Sequence, residues 1–454
     1  MDRISKLFLL GKRDSYDRLP GPIALPILGL APQFRSYSVP YIVRLSRTYG
    51  DFVRFPMPSV RGVLVSDPNF IKMALAQTER NFYKGKLYER MKPFGGNGLV
   101  TAKGKPWRSH RKLANPAFTE KSLKTYEPLI HRATETCIGK INSHLGEEVD
   151  STSMMMDLTF DVVAMSLFSE EIKDQGPQLA AWFREGQDYL GWAFWTPVEI
   201  PLWIPSPRNR RFNKAKEGLD TYIREMIQDR RQGPSKDDLL QKLIDANDDD
   251  NEGFAEAQII DEVVTLMVAG HDTTALTLCY GLLLLANHPN VVKKLRLEIQ
   301  QQCPDRPVSI QDLSNLKYLH YTLQEIMRLY PAVYMVNRTN HETVTYQNYE
   351  FKGGTTFFLS QYAVHRHPRY WKKPDSFIPE RWQDPESIAP GSYFPFGGGP
   401  RTCIGNHLAS FEASLALPEI IRRFDVQDSN KKFRFDPNAT MTPTPGVKLT
   451  FSKI

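Results

Sequence analysis

Cysteine is scarce in this chain, with four residues among 454. Cys137, Cys279, Cys303 and Cys403 form no close pair and show no spacing typical of a zinc site. A disulfide framework is therefore excluded as the basis of the fold, and a reducing compartment is favoured. We expect a cytoplasmic protein in which one cysteine can act alone.

Long apolar runs are also missing. A membrane-spanning helix needs about 20 mostly apolar residues, whereas the first apolar stretch, residues 4–10, is short and contains Ser5 and Lys6. This stretch also lacks the small-residue cleavage site of a secretory signal. We expect no transmembrane anchor, and a weak peripheral membrane contact through residues 4–10 stays open.

Helical patterns greatly outnumber strand patterns. Apolar spacing predicts helices over residues 106–118, 123–141, 208–231, 255–286, 289–302, 319–330 and 404–424. A hairpin is predicted over 51–65, with short strands at 343–346, 349–351, 355–359 and 448–451. The predicted fold is mainly α with a small β portion, with residues 1–18 as a lead-in and 19–454 as one large domain.

The segment from Phe394 to Gly405 combines three consecutive glycines with a cysteine. Gly397 to Gly399 fit neither a helix nor an ordinary strand, and they allow the backbone to approach a flat or bulky group closely. Because a helical pattern follows at once, we expect Cys403 at a helix N-terminus, where the amides and the helix dipole lower a thiol pKa. A buried structural cysteine is the alternative.

The same segment resembles the haem-binding loop of the cytochromes P-450. The fixed positions of that loop are filled by Phe396, Gly397, Gly399, Arg401, Cys403 and Gly405. The resemblance implies a haem b cofactor in a single haem-enclosing domain. It makes Cys403 the iron ligand, pairs Arg401 with a haem propionate and sets Phe396 near the sulfur.

A second motif lies within the predicted helix 255–286. Ala269 and Thr273 are four residues apart and share a face, while Gly270 and the threonines weaken the helix ladder locally. An opened helix would make room for dioxygen and water, with Asp272 and Thr273 as the acid and hydroxyl of a proton relay. The motif resembles the distal helix of the family, in which Ala269 and Gly270 border the haem and the position of His271 is variable; we expect no catalytic role for His271.

Three further motifs extend the resemblance over most of the chain. Glu325, Arg328 and Arg381 match a buried triad that supports the haem pocket. Trp107 and Arg111, four apart on one helix face, match a propionate-binding pair, and Arg338 matches another propionate ligand, since guanidinium groups suit carboxylates.

These residues imply an oxygen-activating monooxygenase. The resemblance also implies that segments 82–100, 191–207 and 332–336 line the substrate pocket, and their apolar residues, including Trp192 and Trp203, predict a lipophilic substrate. Fatty acids, terpenoids or steroids, and polyketides all stay open. The chain contains no flavin or nicotinamide site, so a separate electron donor is required. Basic residues between Lys103 and Lys124 predict an acidic ferredoxin or flavodoxin, and we expect a monomer.

Two alternatives keep the haem and change the function. One is a peroxide-using or rearranging enzyme on the same fold, against which Asp272 and Thr273 argue. The other is a non-catalytic haem-binding sensor or carrier, which needs neither an apolar lid nor a basic docking patch.

Overall fold

The computed structural model describes residues 14–169, 176–196, 200–246, 254–436 and 438–454, apart from the side chain of residue 177. The apolar stretch 4–10 lies outside the described residues.

Helices dominate the described chain, as predicted. They are α1 (Ala31–Tyr37), α2 (Pro40–Tyr49), α3 (Pro68–Ala76), α4 (Lys86–Glu89), α5 (Lys92–Gly95), α6 (Gly104–Ala114), α7 (Glu120–Asn142), α8 (Ser151–Phe168), α9 (Gly176–Trp195), α10 (Pro207–Gln232), α11 (Leu239–Asp245), α12 (Glu256–Ala286), α13 (Pro289–Gln302), α14 (Lys317–Leu329), α15 (Gln361–Val364) and α16 (Asn406–Ile421). Short 3₁₀ segments follow α6, at Asn115–Phe118, and precede Cys403, at Gly399–Arg401.

The strands are short and confirm the small β portion. They are β1 (Phe52–Arg54), β2 (Gly62–Val65), β3 (Phe82–Tyr83), β4 (Glu148–Asp150), β5 (Val336–Asn340), β6 (Val344–Tyr346), β7 (Tyr349–Phe351), β8 (Thr356–Leu359), β9 (Phe424–Asp428), β10 (Arg434–Phe435), β11 (Pro443–Thr444) and β12 (Lys448–Lys453). The largest sheet has the order β1-β2-β8-β5-β3, in which β2 and β8 run parallel and the other neighbours antiparallel.

The longest helix, α12, lies at the centre of the protein. It packs against α8 on one side and against α16 and α14 on others, and nearly all of its apolar side chains are buried. By length and composition this helix could cross a membrane, so the sequence-based expectation that no stretch would do so is wrong. Since 61% of its most apolar window is buried inside the protein, it packs as a core helix of the protein.

Local sequence explains where the helices around the site begin. Asp67 caps α3 by accepting a hydrogen bond from the Phe70 amide, and Asp150 caps α8 by accepting from the amides of Thr152 and Ser153. Pro289 occupies the first position of α13, where its missing amide hydrogen costs no helical bond. The core helices are thus fixed at their starts by capping residues and by proline.

Candidate active site

A cavity of about 810 Å³ lies between α12 and the cysteine-containing loop. Most of the predicted site residues line it, namely Phe396, Arg401, Cys403, Arg338, Ala269, Gly270, Asp272 and Thr273. Trp107 and Arg111, both in α6, are not among the described residues of its wall. The cavity thus brings together predicted site residues from three distant parts of the chain.

The cysteine loop is folded by its glycines. Gly397 and Gly399 have φ angles of +73° and +67°, a region that L side chains rarely adopt. A Cβ at Gly399 would lie 2.1 Å from the Leu75 carbonyl oxygen of α3, so no larger residue fits there. The turn is closed by the Cys403 amide, which donates to the Phe396 carbonyl at 3.0 Å.

Cys403 is accessible from the cavity, whereas the other three cysteines are buried. On its other sides the Cys403 thiol is surrounded by protein, and this burial raises its pKa. The Gly405 amide and the Arg111 guanidinium act in the opposite direction and lower the pKa. The expected position of Cys403 at a helix N-terminus is wrong, because α16 begins only at Asn406.

Arg401 is buried and held on several sides. Its Nε donates to Glu79 Oε1 at 3.0 Å, and an Nη donates to the Ala102 carbonyl at 2.8 Å. The guanidinium lies 3.9 Å from the centroid of the Trp107 ring. Trp107 therefore acts on the cavity wall through Arg401, as a stacking surface beneath the guanidinium.

Two more buried cations line the same part of the cavity. Arg338, on β5, donates to Thr78 Oγ1 at 2.9 Å, and Lys84 donates to the Val100 carbonyl at 2.6 Å. Burial holds the pKa of Lys84 well below its ordinary value, and Arg338 and Arg401 lower it further. Sequence reasoning missed Lys84, since a single lysine in a loop carries no pattern.

This cluster suits an anionic group. Lys84, Arg338 and the side chain of Arg401 are buried at the cavity wall, and Glu79 forms an ion pair with Arg401. Buried cations without matching anions are costly, so carboxylates entering the cavity would stabilise them. A porphyrin with two propionates, placed with its iron near Cys403, fits these donors.

Arg111 lies on the cysteine side of the site. Its guanidinium donates to the Thr402 carbonyl at 2.7 Å, directly before Cys403 in the chain. Gly405 is close to Phe118 in the segment after α6, where a Cβ would lie 3.7 Å from the Phe118 ring. The helix α6 and its extension are thus packed against the loop that carries the cysteine.

The α12 motif faces the cavity from another side. Thr273 donates its hydroxyl hydrogen to the Ala269 carbonyl at 2.9 Å, yet α12 continues as α-helix through the motif. The expected local opening of the helix is therefore wrong for this conformation. A Cβ at Gly270 would lie 2.8 Å from Val163, so this glycine lets α12 approach α8 closely.

Asp272 is buried, and one of its carboxylate oxygens is hydrogen-bonded to another helix. Oδ2 accepts a hydrogen bond from Gln187 Nε2 on α9, and Oδ1 lies 2.8 Å from His271 Nδ1. The His271 ring packs edge-on against Phe160 of α8. Sequence reasoning assigned His271 no role and missed Gln187, because contacts between distant helices leave no trace in local spacing.

The predicted buried triad of Glu325, Arg328 and Arg381 is confirmed and lies outside the cavity. Arg328 donates to both oxygens of Glu325 at 2.8 Å, and Arg381 Nε donates to Oε1 at 2.9 Å. The Trp382 indole adds a hydrogen bond to Oε2 at 3.0 Å. Each of the two glutamate oxygens thus accepts at least two hydrogen bonds in a fully buried site.

Apolar side chains form much of the remaining wall. They include Leu87, Met91, Phe94, Leu190, Phe194, Trp195, Val264, Val268, Val333 and Met335. The prediction that Trp192 and Trp203 line the pocket is wrong. Trp203 is 81% exposed, and Trp192 lies under the guanidinium of Arg208 at 4.7 Å.

Comparison with known proteins identifies the scaffold. The family model described as Cytochrome P450 matches residues 19–451. Among similar proteins, LUTEIN DEFICIENT 5, chloroplastic, of Arabidopsis thaliana is 31% identical over 448 residues, covering 91% of this chain and 73% of the relative.

Two further relatives carry enzyme names. Cyclooctat-9-en-7-ol 5-monooxygenase of Streptomyces melanosporofaciens is 30% identical over 411 residues, covering 89% of each chain. Cytochrome P450 4V2 of Homo sapiens is 28% identical over 400 residues, covering 82% of this chain and 76% of the relative. The chain therefore belongs to the cytochrome P450 family and is a haem-dependent oxidoreductase of the monooxygenase type.

Proposed function

We propose that this protein inserts one oxygen atom of O2 into a lipophilic organic substrate, by hydroxylation or epoxidation, with haem b ligated by Cys403. The observation that carries the proposal is the position of Cys403, whose thiol is accessible from a cavity that three buried cations also line. Arg338, Arg401 and Lys84 would pair with the two propionates.

The remaining site residues take supporting roles. Ala269 and Gly270 would border the haem, and Phe396 would hold the loop around the sulfur through its carbonyl. Trp107 would orient Arg401, and Arg111 would either join the propionate partners or tie α6 to the cysteine loop. When bound, a haem with a thiolate ligand supplies activation of O2 and cleavage of the O–O bond.

Proton supply would fall to Asp272 and Thr273. Both line the cavity from adjacent positions of α12, and the buried carboxyl and the hydroxyl are groups that exchange protons with water. The other α12 side chains at the wall are apolar, such as Val264 and Val268, or are threonines, so Asp272 is the acid that α12 contributes to this wall. The pair thus marks the route by which protons reach the reaction.

The substrate is a lipophilic molecule, because apolar side chains make up most of the wall outside the cation cluster. Fatty acids, terpenoids or steroids, and polyketides all fit this description. Two Streptomyces relatives are named cyclooctat-9-en-7-ol 5-monooxygenase and cyclooctatin synthase. Apolar compounds with an alcohol group, as the first name describes, are therefore the class to test first.

A spectral screen tests this function. Purified ferric protein is titrated with members of the three substrate classes, and compounds that shift the Soret band are incubated with an electron donor under ¹⁸O2. We expect one ¹⁸O atom in the product. Turnover with hydrogen peroxide but with no electron donor would favour the peroxide-using alternative, and no Soret shift across the panel would favour a sensor or carrier.

We infer that an acidic ferredoxin or flavodoxin delivers the electrons to the α6 side of the protein. Exposed cations cover α6 and the start of α7, namely Lys105, Arg108, Lys112, Lys121 and Lys124. Arg111 on the same helix contacts the residue before Cys403, so a donor on this surface would dock close to the haem ligand. Such surfaces steer acidic partners electrostatically.

Charge reversal tests the donor surface. Arg108→Glu combined with Lys112→Glu should slow reduction by an acidic ferredoxin at least about tenfold at low salt, an effect that fades as ionic strength rises. Lys214→Glu, an exposed position on α10, serves as the control and should reduce at the wild-type rate. Equal rates in all three proteins would contradict the proposed docking surface.

We infer further that residues 19–454 act as one catalytic domain after a lead-in of residues 1–18, and that the protein is a cytoplasmic monomer.

Exposed apolar residues support a peripheral membrane contact, because Ile23, Ile27 and Trp203 are 88%, 83% and 81% exposed. Flotation with liposomes tests this contact. Ile27→Ser combined with Trp203→Ser should abolish flotation if the contact exists.

A further inference from the structure

Asp272 is held in a position that keeps it away from Thr273. Its two oxygens face Gln187 on α9 and His271 on α12, while the Thr273 hydroxyl donates to the Ala269 carbonyl. The acid and the hydroxyl of the proposed relay are thus each occupied by another partner. Oδ2 of Asp272 must release Gln187 before that oxygen can hydrogen-bond to water near Thr273.

Gln187 belongs to the helix that also forms the apolar wall. Leu190, Phe194 and Trp195 of α9 line the cavity in which a substrate would lie, and Trp195 stacks on Phe34 at 4.6 Å. The main packing partner of α9 is α10, whereas α12 is tightly packed against α8. The contact between Gln187 and Asp272 therefore joins the substrate-facing helix to the core helix.

His271 is fixed from the opposite side. Its ring lies edge-on to Phe160 at 5.3 Å, and its carbonyl accepts a hydrogen bond from Thr159 Oγ1 at 2.9 Å, both residues of α8. His271 thus belongs to the rigid part of the core, and Gln187 is the partner that can move with α9.

We propose that Gln187 is a latch that holds Asp272 in a resting position beside His271, and that a substrate which displaces α9 releases Asp272 for proton delivery. The inference rests on the proposed function, in which Asp272 serves the proton relay. Gln187 and His271 are positioning residues that act through Asp272. The latch would keep oxygen reduction slow while the cavity holds no substrate.

The test uses haem-loaded protein without substrate, with NADPH, a plant-type ferredoxin and its reductase. The rate of haem reduction is first measured by trapping the reduced haem with carbon monoxide. This establishes that reduction of the haem does not limit NADPH oxidation. Gln187→Ala should raise NADPH oxidation by about tenfold, the effect expected for loss of one hydrogen bond to a charged group. Gln178→Ala, an exposed position on the same helix, should leave the rate unchanged.

A double variant separates a latch from a general loosening of the helix. Gln187→Ala combined with Asp272→Asn should return NADPH oxidation to the slow rate, since the released group no longer carries a proton. A Gln187→Ala rate equal to or below the wild-type rate, or a raised rate that survives Asp272→Asn, would overturn the proposal. A wild-type protein that lacks the Soret band of thiolate-ligated haem in its reduced carbon monoxide complex would instead overturn the proposed function.

Discussion

Glu325 accepts two hydrogen bonds of 2.8 Å from Arg328, and neither side chain is exposed to solvent. The same guanidinium donates to the His365 carbonyl at 2.7 Å, and Arg381 and Trp382 complete the shell of Glu325. A buried ion pair adds little net stability while it is complete, but removal of one partner leaves an uncompensated charge.

Glu325→Ala should therefore destabilise the protein by about 3–5 kcal/mol, measured by urea unfolding. Glu120→Ala is the matched control, because Glu120 forms an exposed 3.0 Å ion pair with Lys124, and its loss should cost less than about 1 kcal/mol. Similar losses in the two variants would contradict the structural role of the triad.

His365 links this triad to the cysteine loop. Its Nε2 accepts a hydrogen bond from the Phe394 amide at 3.0 Å, and burial, with the charge of Arg328, lowers its pKa from 6.5 to about 3. Between these two values the unfolded histidine binds a proton and the folded one does not. The stability due to His365 is therefore complete above pH 6.5 and is lost as the pH falls towards 3.

His365→Gln keeps an acceptor for the Phe394 amide and removes the titration. We expect the variant to be less stable than wild type at pH 7 but to lose less stability between pH 6.5 and 4, as measured by urea unfolding at several pH values. Parallel pH profiles for the two proteins would show that His365 does not titrate as inferred.

The two left-handed glycines of the cysteine loop differ in their surroundings. A Cβ at Gly397 would meet no heavy atom within 4 Å, whereas one at Gly399 would collide with the Leu75 carbonyl. Gly397→Ala should cost about 1–2 kcal/mol for the strained φ alone, and Gly399→Ala a further ~1–3 kcal/mol for overpacking. Thermal unfolding compares them, and equal losses would contradict the inferred packing of the loop on α3.

The sequence predicted elements best where local chemistry decides them. The helix starting at Pro289 was predicted with the observed bounds, and the hairpin between Asp51 and Val65 appears as β1 and β2. The helices α8 and α9 were missed, since apolar residues cover most of the circumference of α8 and leave no clear 3.6-residue period. The strand β5 was missed because the polar residues Asn337 and Arg338 interrupt its apolar pattern.

The residues of the site likewise divide into those that local sequence identifies and those that only the fold reveals. Short-range motifs identified Cys403, Arg401 and Thr273, since each stands at a fixed spacing from its neighbours. Lys84 and Gln187 became visible only through contacts with residues far away in the chain. The environment of a group is likewise a property of the fold, and α16 begins at Asn406 rather than directly after Cys403 as the sequence predicted.

Lys84 offers a test of the propionate partners. Lys84→Met removes one of three buried cations at the cavity wall and should speed haem loss at least about tenfold, the weight of one charged hydrogen bond. Transfer of haem to excess apomyoglobin, followed by absorbance, gives the rate. Lys86→Met, two residues along and exposed, is the control, and equal rates would exclude Lys84 from haem binding.

The central claim is that Cys403 is the haem ligand. The most direct measurement is the absorbance spectrum of the reduced protein with carbon monoxide, in wild type and in Cys403→Ser. We predict the strongly red-shifted Soret band of thiolate-ligated haem in the wild type and its loss in the variant. A wild-type spectrum without that shift, or a shifted band that persists in Cys403→Ser, would contradict the account.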